Sequence, residues 1–322
     1  MPTIPISIII PSFCGAERLP RQLETINNQL KPEDEVIVVD DASMDDTSAA
    51  AERCGARVIR LENNGGAGRA RNAGARAASH EVLQFFDDDL LPVDGYLSKV
   101  RDLFNDYAVV CAQGPHRLEP LDDNPDIWQR ADAMIWHHYM TTLCVRGGES
   151  TVFYSGAFAI RRNVFAELGG FDEKFTGAGG EEFDFSLQLC ARYPIVFSPE
   201  LSTLHHFKRF MTRLCALYRR SQNYPAVSRS KCDGERNPLL AGESLRLVLA
   251  CAALPLFGLT LCSALPVGPA LAGLLAYLLV DVRLYRDLCC WKQMHFIPIV
   301  IAYRYIQYWT IAAGIVTKVL IK

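Results

Sequence analysis

The chain has 322 residues, with Lys+Arg 33 against Asp+Glu 36 and a formal net charge of -3. That length allows one large α/β domain with something smaller attached, and the balanced charge argues against general electrostatic binding of nucleic acid. The 11 cysteines show no paired zinc-ligand spacing, and their odd number and scatter argue against a secreted disulfide scaffold; reduced thiols in a cytosol-facing domain are expected.

In chain order, Ile6 to Ile10 reads as a buried strand stopped by Pro11. It is strand-sized and lacks a preceding basic region, so no signal peptide is expected. Glu17 to Gln29 has helical spacing, with Leu19, Leu23 and Ile26 on one side. Val36 to Val39 is a second strand ending in Asp40 and Asp41, and Thr47 to Cys54 a second helix. Val58 to Leu61 is a third strand. A flexible glycine loop, Asn64 to Gly68, precedes a helix over Arg69 to Ala78. Val82 to Phe86 is a fourth strand and ends in three carboxylates, Asp87, Asp88 and Asp89.

Four alternations of apolar strand and helix predict an α/β fold, a mostly parallel sheet covered on both faces. Ligands of such sheets bind beyond the carboxyl ends of the strands, where Pro11, Asp40, Asp41 and Asp87 to Asp89 all fall. The turn after the first strand, Pro11 to Gly15, is not a dinucleotide-binding glycine motif, and no phosphate-binding Gly-Lys loop occurs. Three adjacent acids repel one another, and burial makes this worse. A hard divalent cation, Mg²⁺ or Mn²⁺, shared with a diphosphate answers that charge. A solvated acidic turn accounts for one such acid more easily than for three.

Five stretches carry a resemblance. They are VIVVDDASMDDTS (Val36 to Ser48), NNGGAGRARNAGARAA (Asn63 to Ala78), LQFFDDDLLP (Leu83 to Pro92), SGAFAIRRNVFAELGGFDEKF (Ser155 to Phe175) and GGEEFDFSLQL (Gly179 to Leu189). In this order they resemble the family-two group of inverting nucleotide-sugar glycosyltransferases. The resemblance implies a glycosyltransferase-A fold and a uridine, guanosine or thymidine diphosphate sugar as donor, with a UDP-sugar first among them. It places Pro11, Asp40 and Asp41 at the base and ribose, and Arg71 and Asn72 beside the nucleotide. Asp87 and Asp89 match its metal-binding pair, with Asp88 as the free middle position. Arg71 can equally be a solvated charge on a helix surface. The family's Glu-Asp is Glu181-Glu182 here, which makes Glu182 the implied catalytic base and Glu181 a positioning residue. Asp184 matches a following acid of structural or acceptor-binding role. Acids in a first helical turn are also ordinary dipole partners. One of His205 and His206 is implied near the metal, and the sequence does not choose between them.

The implied organisation is a catalytic domain over 1–235, with nucleotide-sugar binding in 1–110 and acceptor binding in 111–235, then a membrane-associated helical region over 236–322. Lys208, Arg209, Arg213, Arg219, Arg220, Arg229, Lys231 and Arg236 crowd the approach to that region. Three apolar runs follow: Leu247 to Val267, Pro269 to Val282, and Phe296 to Val316 with Arg304 and Gln307 inside it. A spanning helix needs about 20 apolar residues. The first run meets that length; the others suit a hairpin, a span or an interfacial helix. Basic clusters before Leu247 and after Val282 fit one cytoplasmic side, hence an inner-membrane protein whose catalytic domain faces the cytoplasm. Family members with such tails act on lipid-linked or cell-envelope glycans. Single-sugar transfer is expected, since the Gln-x-x-Arg-Trp stretch of processive enzymes is missing from the sequence. A polyprenyl-phosphate glycosyltransferase and a nucleotidyltransferase are the competing readings.

Overall fold

The computed structural model describes residues 4–175, 180–222, 248–249, 274–279 and 281–320. Its elements begin β1 (Ile6–Ser12), α1 (Leu19–Asn27), β2 (Glu35–Asp40), α2 (Thr47–Arg53), β3 (Arg57–Arg60), α3 (Ala67–Ala77) and β4 (Val82–Phe86). Then come β5 (Leu90–Pro92), α4 (Tyr96–Phe104), β6 (Cys111–Gln113), α5 (Ile127–His138), β7 (Val145–Arg146), β8 (Glu149–Ser150) and β9 (Ala157–Arg161). The remainder are α6 (Arg162–Glu167), α7 (Glu181–Cys190), β10 (Ile195–Phe197), β11 (Thr203–His205), α8 (Phe210–Ser221), α9 (Val282–Cys290) and α10 (Ile297–Leu320). They form two compact units, one of Met1–Asp122 with Met140–His206, the other of Asp123–Tyr139 with Phe207–Lys322.

The first unit holds the expected α/β sheet. Among the described residues it has nine strands in the order β3-β2-β1-β4-β9-β6-β10-β8-β7. β1 pairs in parallel with β2 and β4, and β2 with β3. β9 runs antiparallel between β4 and β6. A separate pair, β5 with β11, lies outside this sheet.

The near-continuous apolar strands are explained by burial on both faces. Along β1, Ile6, Ile8 and Ile10 join one core with Leu19, Leu23 and Ile26 of α1 and Val100 and Phe104 of α4. Ile9 faces the other way, with Ala70 of α3, Phe85 of β4 and Phe185 of α7. Small residues let α3 lie close to the sheet. A methyl on Gly74 would stand 2.3 Å from Ile9 Cγ2.

Two boundaries differ from expectation. β1 continues through Pro11 to Ser12, paired with Val39 and Asp40 of β2. Its pairing with β4 covers only Ile6 to Ile9, so Pro11, which lacks an N–H, sits where one neighbour has ended. α3 begins at Ala67, inside the glycine stretch. The loop before it is fastened, because the Asp41 carboxylate accepts the N–H groups of Gly65 and Gly66 at 2.9 and 2.7 Å.

The second unit is helical. Asp126 and Gln129 form a capping box at the start of α5. Asp132 of α5 takes the Arg213 guanidinium of α8 at 2.8 Å and the Gln307 amide of α10 at 3.2 Å. Arg304, the other polar residue inside the third apolar run, meets Asp281 at 3.3 Å. Among the described residues one helical stretch, Met294–Lys318, is long and apolar enough to cross a membrane, with mean hydropathy 1.2. Nearly all of the first apolar run, part of the second, Arg229, Lys231, Arg236 and Gly179 lie outside the described residues.

Candidate active site

The site is built in the first unit, beyond the carboxyl ends of β1, β2 and β4. The sheet order sets β1 between β2 and β4, so the loops after all three open onto one edge. Two non-glycine residues there adopt positive φ, Cys14 at 52° after β1 and Ala42 at 60° after β2. Such backbone costs on the order of 1–3 kcal/mol and persists only where surroundings enforce it. Here the Cys14 N–H is held by Ser43 Oγ at 2.9 Å.

Each of the three acids after β4 has its own partner. Asp87 Oδ1 accepts Arg71 Nη2 at 2.5 Å. Asp88 Oδ2 accepts Ser12 Oγ at 2.5 Å and Arg18 Nη2 at 2.9 Å. Asp89 Oδ2 lies 3.6 Å from His205 Nε2. Lost solvation raises the Asp87 carboxyl to about 6; Arg71 opposes that rise and the charge of Asp89 adds to it. Asp88 is likewise raised, chiefly by burial, with Arg18 opposing. The middle acid is thus pinned, and it needs Gly15 beside it. A Cβ there would stand 2.1 Å from Ser12 Oγ and 2.5 Å from Asp88 Oδ2.

Arg71 is buried, its side chain 2% exposed, with its guanidinium 5.3 Å from the Phe171 ring centroid. The helix-surface alternative therefore does not hold for it. Arg76, on the same helix, is exposed and pairs with Glu173. Asn72 gives its amide to the Phe171 backbone and to Glu173, tying residues 171–173 to α3. Asp40 is fully buried. Its oxygens accept Ser43 N–H, Ser48 Oγ and Arg60 Nη1. Burial works against its charge, but these bonds hold its carboxyl below the ordinary range. Asp40 and Asp41 therefore shape the loops after β2 and before α3.

The two glutamates reach the same place through the start of β9. Asp87 donates its N–H to the Gly156 carbonyl at 2.7 Å. The preceding residue, Ser155, donates its hydroxyl to Glu182 Oε2 at 2.9 Å. Glu181 is buried against α3, its Cγ 3.1 Å from where a Cβ on Gly68 would lie. Asp184 accepts the Gln188 amide one helical turn on, at 2.8 Å.

β11 separates the adjacent histidines. His205 stacks on His116 at 4.6 Å between ring centroids and faces Asp89. His206 turns to Asp122 at 2.7 Å. Two carboxylates and an imidazole, the donor types of Asp87, Asp89 and His205, are ones that Mn²⁺ or Mg²⁺ accepts. Among the described residues no group of three or more His, Cys, Asp or Glu side chains is placed to hold a metal ion by itself. These ions are ordinarily held by one or two carboxylates, with substrate phosphate completing the shell. Sequence reasoning missed Ser12, Arg18 and Ser155 as partners of the acids, and His116 as the ring stacked on His205. Ser155 sits inside a recognised stretch, but no spacing rule ties a hydroxyl to a glutamate 27 residues on.

The family model described as Glycosyl transferase family 2 matches residues 7–169. The uncharacterized protein MT1568 of Mycobacterium tuberculosis is 30% identical over 220 residues, 62% of this chain and 67% of its own length. The O-antigen chain rhamnosyltransferase RfbN of Salmonella typhimurium is 28% identical over 232 residues, 64% of this chain and 70% of its own. The matches to two other curated relatives span 29% and 38% of those proteins' lengths. Among solved structures, the mannosyltransferase PcManGT from Pyrobaculum calidifontis in complex with GDP-Man and Mn²⁺ superposes with a TM-score of 0.63 at 17% identity. That match covers 98% of this chain and 87% of the other, and it shows the fold to be of the glycosyltransferase-A type.

Proposed function

The chain belongs to glycosyl transferase family 2, and from that premise we propose inverting transfer of one sugar, from a nucleoside diphosphate sugar to a lipid-linked or cell-envelope glycan. The observation that carries this reading is the continuous link Arg71–Asp87–Gly156–Ser155–Glu182, which joins the acids after β4 to the glutamates of α7.

Asp87, Asp89 and His205 would hold Mg²⁺ or Mn²⁺. Bound there, the ion would neutralise the departing diphosphate. Arg71 is suited by shape and charge to phosphate oxygens. The loops set by Asp40 and Asp41 would receive the nucleoside. Glu182 takes the proton of the acceptor hydroxyl as its oxygen bonds to the anomeric carbon and the sugar–phosphate bond breaks. Ser155 keeps that carboxylate oriented, and Glu181 supports the first turn of α7.

Membrane association rests on Met294–Lys318, aided by α9, which exposes Val282, Arg283 and Arg286, with Lys292 just beyond it. Apolar and basic groups on one short helix suit an anionic bilayer surface. Placement at the inner membrane with a cytoplasmic catalytic domain belongs to the same reading, as does an envelope glycan acceptor, which the likeness to an O-antigen chain rhamnosyltransferase supports. The test is a screen of the purified full chain with Mn²⁺ against UDP-, GDP- and dTDP-sugars for binding and slow hydrolysis. One base class should bind and release sugar; binding by none would refute the proposal.

A further inference from the structure

Of the three buried arginines of the first unit, Arg71, Arg101 and Arg161, Arg71 and Arg161 contrast in how far their donors are used. Arg161 spends Nε, Nη1 and Nη2 on the Val109, Phe104 and Asp106 carbonyls and the Glu81 carboxylate. Every nitrogen of that guanidinium is engaged, in four bonds from its five N–H donors. Arg71 is more deeply buried, yet only Nη2 is engaged, on Asp87, while Nε and Nη1 have no hydrogen-bond partner. Buried donors left unmade are costly. The Phe171 ring covers one side of the guanidinium, and the charges of Glu181 and Glu182 act on it besides that of Asp87. Asp87 is also the acid to which the proposed metal site assigns a cation. Arg71 and that cation therefore compete for one carboxylate, and Arg71 has spare donors for an anion.

We propose that Arg71 is an exchangeable counter-ion of Asp87, giving up the carboxylate to a divalent cation in return for the diphosphate of the donor, so that the two ligands bind cooperatively. This rests on the assignment of Asp87 to the metal. Arg71 weakens binding of the cation alone, because the cation must displace a charge already paired. It strengthens binding of the pair, because its released nitrogens take phosphate oxygens.

The experiment measures Mn²⁺ binding to the full chain by electron paramagnetic resonance, first with Mn²⁺ alone and then with UDP. Arg71→Gln should bind Mn²⁺ alone roughly tenfold more tightly than the native chain, and the tightening by UDP should shrink. Arg76→Gln removes a charge from the exposed part of the same helix and should leave Mn²⁺ affinity within about twofold, since exposed charges are screened. Arg71→Lys keeps the buried charge but replaces the guanidinium fork with a more strongly hydrated point charge; it should tighten Mn²⁺ by a smaller factor and carries the test if Arg71→Gln does not fold. Unchanged or weaker Mn²⁺ binding in both Arg71 variants, with binding lost in Asp87→Asn, overturns the exchange and leaves the metal site standing. Undiminished binding in Asp87→Asn removes the metal assignment, and the exchange with it.

Discussion

Glu182 Oε2 accepts the Ser155 hydroxyl, which leaves Oε1 open to a second donor. A carboxylate that only receives the acceptor's proton matters in the transition state and little for holding the donor. Glu182→Gln should lower single-turnover transfer by roughly 10²–10⁴-fold, with donor affinity near native. Ser155→Ala should lose less, roughly tenfold, since it removes one hydrogen bond to a charged group. Native turnover in Glu182→Gln would move the base to Glu181 or Asp184. Residue identities were readable from the quoted stretches; residue partners were not. Asp40 and Asp41 stood out as acids at a strand end, but their work on Ser43, Ser48, Arg60, Gly65 and Gly66 depends on how two loops fold back. Which of His205 and His206 faces Asp89 depends on the register of β11 on β5, which sets His205 opposite Leu90, next to Asp89.

At the scale of elements, α3 joins fold and site, because one face packs on β1 and β2 and its first turns carry Arg71. Gly74 fixes that contact. In an exposed helix an alanine would stabilise by up to about 1 kcal/mol. Here its methyl would meet Ile9 Cγ2 at 2.3 Å and Val39 Cγ2 at 3.2 Å, and overpacking costs about 1–3 kcal/mol. Gly74→Ala should therefore lower the thermal midpoint followed by circular dichroism. A raised midpoint would mean that the helix can move away from the sheet freely. β1 to β4 were legible because buried parallel strands are nearly all apolar and alternate with helices. β9 was hidden: Ala157–Arg161 is short, and nothing local tells that it inserts antiparallel between β4 and β6. The helical second unit was less legible still, since α5 joins it from the middle of the chain.

For the molecule as a whole, the proposed roles divide between the units, sugar transfer in one and membrane binding in the other. Headgroup attraction is on the order of 1 kcal/mol per basic residue. Arg283→Glu, Arg286→Glu and Lys292→Glu together should cut flotation with anionic vesicles and leave binding to neutral ones unchanged. Undiminished flotation would show that apolar insertion alone holds the chain. Removal of the chain after Arg236 is a less clean test, because it strips α10 from its contacts with α5 and α8. The central claim is that the acids after β4 bind a donor diphosphate through a divalent metal. Calorimetry of nucleoside diphosphate binding to Asp89→Asn, with and without Mn²⁺, tests it most directly. The account predicts that Mn²⁺ no longer raises the affinity of the variant. An affinity that still depends on Mn²⁺ as in the native chain would contradict it.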